Sequence, residues 1–257
     1  MGGRGVSFKN QVADEIKTLF ELAQGNSSQT FSFEQIENLP EPVKRYFRFA
    51  LTEGYNYISL ISIKHDGLFR LKATHRWSSI KGEEYYTVNP PGFVWFAKLK
   101  TSPLFWITVR DSYLKGRGNV LAKAYSLFTV GTAEGSEIDS GALCRWLSEA
   151  VLFPTALLPN ENLAWKFVDE NSARLLFSHK GVSIAALVYF GRNGEIVRLT
   201  TDRSNMETGN FEKWSTYYNS YKDHNGIKIP TEAGAIWHLA TGHFNYARFR
   251  ITTIDYN

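Results

Sequence analysis

After Gly54 the apolar residues of this chain stop recurring every third or fourth position and recur every second, with one interruption before the C-terminus. That period belongs to strands with one wet face. The clearest run is Leu68 to Trp77, where Phe69, Leu71, Ala73, His75 and Trp77 alternate with Leu68, Arg70, Lys72, Thr74 and Arg76. Asp66-Gly67 before it reads as a hairpin turn. Further strands read near 55–64, 83–88, 92–100, 105–114 and 118–130. A second series reads near 163–169, 172–178, 182–190, 195–202, 211–221, 227–239 and 244–255. Turn chemistry joins them, as in Asn89-Pro90-Pro91-Gly92, Lys115-Gly116, Lys180-Gly181 and Asn225-Gly226. Connections this short cannot hold crossover helices, so the sheet is antiparallel.

Helical periodicity is confined to three places. Val12, Ile16, Leu19, Phe20 and Ala23 form an amphipathic stripe. A polar loop, Gln24 to Thr30, follows, and Ser32 caps a short turn. Pro40 and Pro42 open a second helix with Val43, Tyr46, Phe47 and Ala50 on one face. The third is the interruption itself, 138–159: Asp139 reads as an N-cap, Leu143, Trp146, Leu147 and Ala150 as an apolar face, and Phe153-Pro154 as the stop. An apolar, non-helical tail to Pro159 comes next. A helix set mid-sheet with no parallel crossover to make must pack on a sheet face. Strands 118–130 and 182–190 are apolar on both faces, which asks for cover on both sides.

The expected fold is mainly β (α+β): a large curved antiparallel sheet or half-barrel of about a dozen strands, with N-terminal helices and one helix inserted mid-sheet. Residues 1–38 read as an N-terminal helical segment. Residues 39–257 read as a single β-sheet domain carrying the insert.

Composition narrows the function classes. Aromatics reach 15% of 257 residues; such rings suit pleated surfaces and exceed what a minimal core needs. The net charge of +4 is spread among scattered acids and bases, so nucleic acid is not an expected partner, whereas peripheral contact with an anionic membrane remains open. No apolar run nears the ~18–20 residues of a transmembrane helix. The first 30 residues read as no signal peptide, which favours a cytoplasmic protein unless the N-terminus is truncated. Cys144, the one cysteine, excludes an internal disulfide and reads as a buried, inert thiol. The six histidines lack metal-site spacing, so neither a metal nor another cofactor is expected.

The segments LPEPVKRYFRFAL (39–51), PPGFVWFAKL (90–99), RDSYLKGRG (110–118), LCRWLSEAVLFPTALLP (143–159) and IPTEAGAIWHL (229–239) resemble a bacterial family whose function is unknown. That resemblance implies no catalytic residue. The strand count and mid-chain helix are also similar in architecture to the half-barrel of periplasmic lipoprotein carriers, where a curved sheet holds an acyl chain under helices.

Four residues are candidates for acid–base chemistry: Arg145, Glu149, Asp111 and His238. Arg145 and Glu149 are spaced i,i+4, an ordinary surface pair unless the insert lies inside a concave sheet, where they would face a cavity. Asp111 shares a strand face with Tyr113, opposite Arg110 and Ser112; turn and edge hydrogen bonding is the simpler account. His238 shares a face with Glu232, and a cross-strand polar pair is the simpler account there too. Trp95, Trp106, Tyr113, Trp146 and Trp237, with Glu232, Arg248 and Arg250, are the candidate ligand-binding set; core packing and a wet sheet face are their simpler explanations. The leading expectation is binding of a hydrophobic or amphipathic, lipid-like small molecule in the concave face. The alternatives are a small-molecule hydrolase or isomerase with acid/base residues near the inserted helix, and a structural or partner-binding domain marked by an exposed apolar patch.

Overall fold

The computed structural model describes residues 8–23, 28–205 and 208–257. The start of the chain and most of the 24–30 loop therefore lie outside the described residues. Helix α1 (Phe8–Leu22) is followed by a 3-10 turn at Phe33–Ile36 and by α2 (Glu41–Ala50). Ser32 closes a capping box with Gln35, and Pro42 sits in the first turn of α2, so both starts follow local chemistry.

Six strands come next: β1 (Leu60–Phe69), β2 (Ser78–Thr87), β3 (Gly92–Ser102), β4 (Phe105–Leu114), β5 (Arg117–Ala124) and β6 (Phe128–Glu134). Helix α3 (Ser136–Glu149) and two 3-10 turns, Ala150–Leu152 and Pro154–Leu157, interrupt the sheet. Seven more strands follow: β7 (Leu163–Asp169), β8 (Ser172–His179), β9 (Val182–Phe190), β10 (Ile196–Asn205), β11 (Asn210–His224), β12 (Ile227–Leu239) and β13 (Gly242–Tyr256). They form one antiparallel, curved, unclosed sheet in the order β6-β5-β4-β3-β2-β1-β13-β12-β11-β10-β9-β8-β7. The chain thus lays down one wing, inserts the plug, then returns through the other wing to meet β1.

Alternation assigns the two faces. Tyr86, Phe93, Trp95, Tyr113, Phe177, Val188 and Leu199 point to the side occupied by α3 and join its core. Val94 and Leu121 point to the other side, where Phe8, Val12 and Leu19 of α1 cover them. This accounts for the two apolar faces of β5, whereas the second face of β9, with Ala185 exposed and Leu187 and Tyr189 half-buried, lacks the cover expected of it. Helix α3 contacts β4, β5 and β6 of one wing and β9 and β10 of the other. The wings also touch directly, Tyr113 Oη lying 2.9 Å from His179 Nδ1. The sheet therefore curls around its inserted helix.

Four local expectations are corrected. Leu68–Trp77 is not a strand: β1 runs through Asp66-Gly67 and ends at Phe69, and the chain then loops to Trp77. Gly67 marks a close approach rather than a turn, since a Cβ there would lie 2.0 Å from the Arg248 carbonyl oxygen on β13. The loop is closed by Arg70, which donates to the Asn245 carbonyl at 2.7 Å and lies over the Trp77 ring at 4.7 Å. The 118–130 stretch is two strands, because Tyr125 and Ser126 take φ of 52° and 61° and reverse the chain without a glycine. Asp139 is not the N-cap of α3, which begins one turn earlier after Gly135. Its carboxylate instead accepts from the Gly118 N–H at 2.7 Å and from Arg117 Nη1 at 2.9 Å, tying the helix to β5. Gly118 permits this approach, since a Cβ there would lie 2.5 Å from the Ile138 carbonyl oxygen. The tail after Phe153, read as non-helical, contains the Pro154–Leu157 3-10 turn.

Candidate functional site

On the α3 face, Glu84 of β2, Trp95 of β3 and Asp111 of β4 are direct cross-strand partners in one row. Arg145, on α3, lays its guanidinium over the Trp95 ring at 4.6 Å. From there Nη2 donates to Glu84 Oε1 at 2.6 Å, Nη1 to Asp111 Oδ2 at 2.9 Å, and Nε to Glu149 Oε1 at 3.1 Å. The Tyr86 hydroxyl donates to Glu149 Oε2 at 2.8 Å. One arginine side chain, 13% exposed, thus holds three carboxyl groups between the helix and three adjacent sheet positions. Charges this far from water interact strongly and cost much to desolvate.

Burial pushes the Glu84 carboxyl well above the usual carboxylate range; Arg145 pulls it down, and Glu149 and Asp111 push it further up. Burial opposes the charge on Arg145, but Glu149, Glu84 and Asp111 raise its pKa and hold it cationic. Burial likewise pushes the Tyr86 hydroxyl up, so it serves as a donor. An acid whose folded pKa is raised contributes stability that is present below its unfolded value of about 4.3 and is lost as pH rises through the folded value. Glu84→Gln removes that loss while keeping an oxygen for Arg145. The variant should match or exceed the wild type in urea midpoint above neutral pH and fall behind it in acid. A midpoint difference that does not change with pH would show that Glu84 titrates normally.

Beside this clasp lies a cavity of about 60 Å³, lined by His65, Glu84, Trp95, Arg145, Glu149 and Tyr218 with the apolar Ile63, Leu152, Ala233, Phe249 and Ile251. His65 is 7% exposed, and its Nε2 accepts from the Trp95 indole N–H at 2.8 Å. Indole only donates, so the neutral imidazole carries its proton on Nδ1. Burial, with Arg145 adding, pushes this histidine down to about 4 and keeps it neutral. Its Nδ1 is buried with no hydrogen-bond partner among the described residues. The cavity therefore has a carboxyl-rich rim and an apolar wall, and the histidine on its lining keeps a buried donor with no partner among the described residues.

Of the sequence candidates, Arg145, Glu149 and Asp111 meet here, and Trp95 forms the floor. His238 does not join them; its Nε2 lies 2.8 Å from Ser215 Oγ and its Nδ1 3.0 Å from His243 Nδ1. Glu232 accepts separately from Ser220 Oγ at 3.1 Å. Glu232, Arg248 and Arg250 instead line an open groove of about 700 Å³ at β1, β2 and β11–β13. Arg250 is spent there on Asp66, 2.8 Å away, and Arg248 lies over the Trp77 ring at 4.7 Å. Trp146 belongs to the plug, Tyr113 to the wing contact, and Trp237 packs with Tyr246 and Trp214. Trp106 lies on the wing under the Lys98 ammonium. Burial pushes the Cys144 thiol up to about 11, in keeping with an unreactive side chain. Glu84, His65 and Tyr86 were missed. The available signal was polarity on an apolar face: Ile80, Gly82, Glu84 and Tyr86 alternate inward on β2, and Ile61, Ile63 and His65 on β1. Among the described residues no three or more His, Cys, Asp or Glu side chains are placed to hold a metal ion, and no helix is long and apolar enough to cross a membrane.

An open antiparallel half-barrel plugged by its own helix is the class of protein these elements define. Residues 29–249 match a family of unknown function (DUF6544), and the chain belongs to that family. No curated protein matches it. Among solved structures it is similar to a putative outer membrane lipoprotein-sorting protein domain from Vibrio parahaemolyticus, at 9% identity over 77% of this chain and 86% of that one, TM-score 0.43. It is also similar to a LolA superfamily protein from Nitrosomonas europaea (9% identity, 84% and 92% covered, TM-score 0.39). A DUF1329 family protein from Desulfovibrio piger covers 96% of this chain and is covered to 93% (9% identity, TM-score 0.43). These are distant likenesses of shape.

Proposed function

We propose that the protein binds a hydrophobic or amphipathic small molecule, such as a lipid, on the concave face of the sheet, with α3 and its 3-10 tail as a plug that the ligand displaces. The observation that supports this is the way the plug is held. An apolar helix would pack on this sheet without ions, yet α3 carries a desolvated arginine clasped to three carboxyl groups. Buried ion networks are weak sources of stability, and their best-attested use is in registers and switches. A void of about 60 Å³ is too small for an acyl chain, so binding requires the plug to move. The His65 Nδ1–H then gives a ligand oxygen a donor, while the carboxyl groups disfavour an anionic head. Native mass spectrometry of gently purified protein, followed by titration with a fluorescent long-chain alcohol, tests this reading. Saturable binding of one probe per chain is expected. Absence of both a co-purified ligand and probe binding would end it.

The meeting of Arg145, Asp111 and Glu149 favours a second reading, hydrolysis or isomerisation of a small neutral substrate, with the raised Glu84 carboxyl as proton donor. Turnover of short-chain esters that is abolished by Glu149→Gln would select it over the first.

A further inference from the structure

Large apolar side chains are exposed at two hairpin ends of one wing. The β3–β4 tip presents Leu104, 82% exposed, and the β5–β6 tip presents Leu127 and Phe128, 73% and 67% exposed. Pairing of β4 with β5, Ile107 opposite Ala124, sets the tips side by side. The Tyr125 ring packs edge-on against Phe105 and Trp106 at 5.2 and 4.9 Å, so a platform of rings backs the exposed side chains. A contiguous apolar surface of this kind marks an interaction site.

The charge around it has one sign. On the strands that end in these tips, residues 97–109 and 121–132 include no acidic residue, whereas Lys98, Lys100 and Lys123 fall among them. Lys98 Nζ lies over the Trp106 ring at 4.1 Å, and Lys81 pairs opposite Lys98 on the next strand. A second copy of the chain would set these lysines against themselves. The tips are projections rather than a groove, so they do not cradle a peptide. A surface that accepts apolar side chains and welcomes cations behind them is an anionic bilayer.

We propose that the β3–β4 and β5–β6 tips dock the protein on an anionic phospholipid membrane. Leu104, Leu127 and Phe128 enter the acyl region, Trp106 and Tyr125 sit at the interface, and the lysines reach the head groups. Each contribution has a physical scale: apolar area removed from water, and lysine attraction that fades within a Debye length. The proposal does not depend on what the concave face holds.

Co-sedimentation of the full chain with vesicles of phosphatidylcholine, alone or with about 30 mol% phosphatidylglycerol, tests it. Binding to the anionic vesicles is expected, weakened several-fold by salt. Leu104→Ser/Leu127→Ser/Phe128→Ser should lower the partition coefficient by about tenfold or more, and Lys98→Gln/Lys100→Gln should remove most of the preference for anionic lipid. Both variants should keep the wild-type urea midpoint, since their side chains are exposed. On the unmodified chain, brominated acyl chains should quench tryptophan fluorescence, and Trp106→Phe should reduce that quenching. The proposal is overturned if the wild type ignores anionic vesicles or the triple variant binds as well as the wild type. Self-association through the tips in analytical ultracentrifugation, without vesicle binding, would overturn it as well.

Discussion

Replacing Arg145 with methionine should lower the free energy of unfolding by about 3–5 kcal/mol at neutral pH, the usual cost of removing one partner from a buried ion network. The methionine fills similar space, so the loss is electrostatic: Glu84, Asp111 and Glu149 keep their positions and lose their common donor. Glu84 is hit hardest, because Arg145 is the charge that draws its pKa down against burial. With that pull gone, its folded pKa rises further. Stability is then fully present only below about pH 4.3 and falls as pH rises through the higher folded value. The deficit relative to wild type should accordingly shrink as the solution is acidified toward that point. Arg145→Met/Glu84→Gln should recover part of the loss at neutral pH. Urea midpoints across this range measure both effects. A deficit under about 1 kcal/mol, the scale of an exposed ion pair, or one indifferent to pH, would show that the clasp is solvated and that the plug is held by packing alone.

The parts of that clasp differ in how they could be read beforehand. Alternation along β4 put Asp111 on the face opposite Arg110, and there it lies, while Arg110 pairs with Glu15 of α1 at 3.1 Å on the other side. The i,i+4 spacing gave the Arg145–Glu149 pair. Their meeting depends on the curl of the sheet, a sum of twist and bulges over many strands that no local pattern encodes. Glu84 is hidden because the strand period is legible only from 83 onward, too short to show a carboxylate alternating with Ile80 and Tyr86. His65 is hidden for a related reason: Asp66-Gly67 has the chemistry of a turn, which detaches the histidine from the inward row of β1. Alternation can also persist in a loop, as in Leu68–Trp77, since a chain pinned by Arg70 against Trp77 and Asn245 needs no ladder. Local periods set the faces, then, while contacts between distant elements made the site.

Trp146→Ala should cost about 3–5 kcal/mol, the range for deleting a buried large side chain. Trp146 is 2% exposed, stacks on Phe177 of β8 at 5.2 Å, and meets Phe153 at 5.8 Å. Its indole N–H donates to the Thr87 carbonyl at the end of β2, at 3.0 Å. One side chain thus fastens the plug to strands from both halves of the sheet. Truncation removes the stacking, opens a void, and leaves a buried carbonyl without its donor. These losses overlap and do not simply add. Thermal or urea unfolding measures the sum, and a cost below about 2 kcal/mol would mean that the plug packs loosely at this point. Ligand binding should move the other way. If a lipid binds only when α3 is displaced, apparent affinity scales with the fraction of molecules in the displaced state. Loosening the plug raises that fraction, so Trp146→Ala should bind the long-chain alcohol probe more tightly than wild type while being less stable. A helix that merely completes the core predicts that stability and affinity fall together. The opposition of the two signs separates a plug from a permanent part of the core.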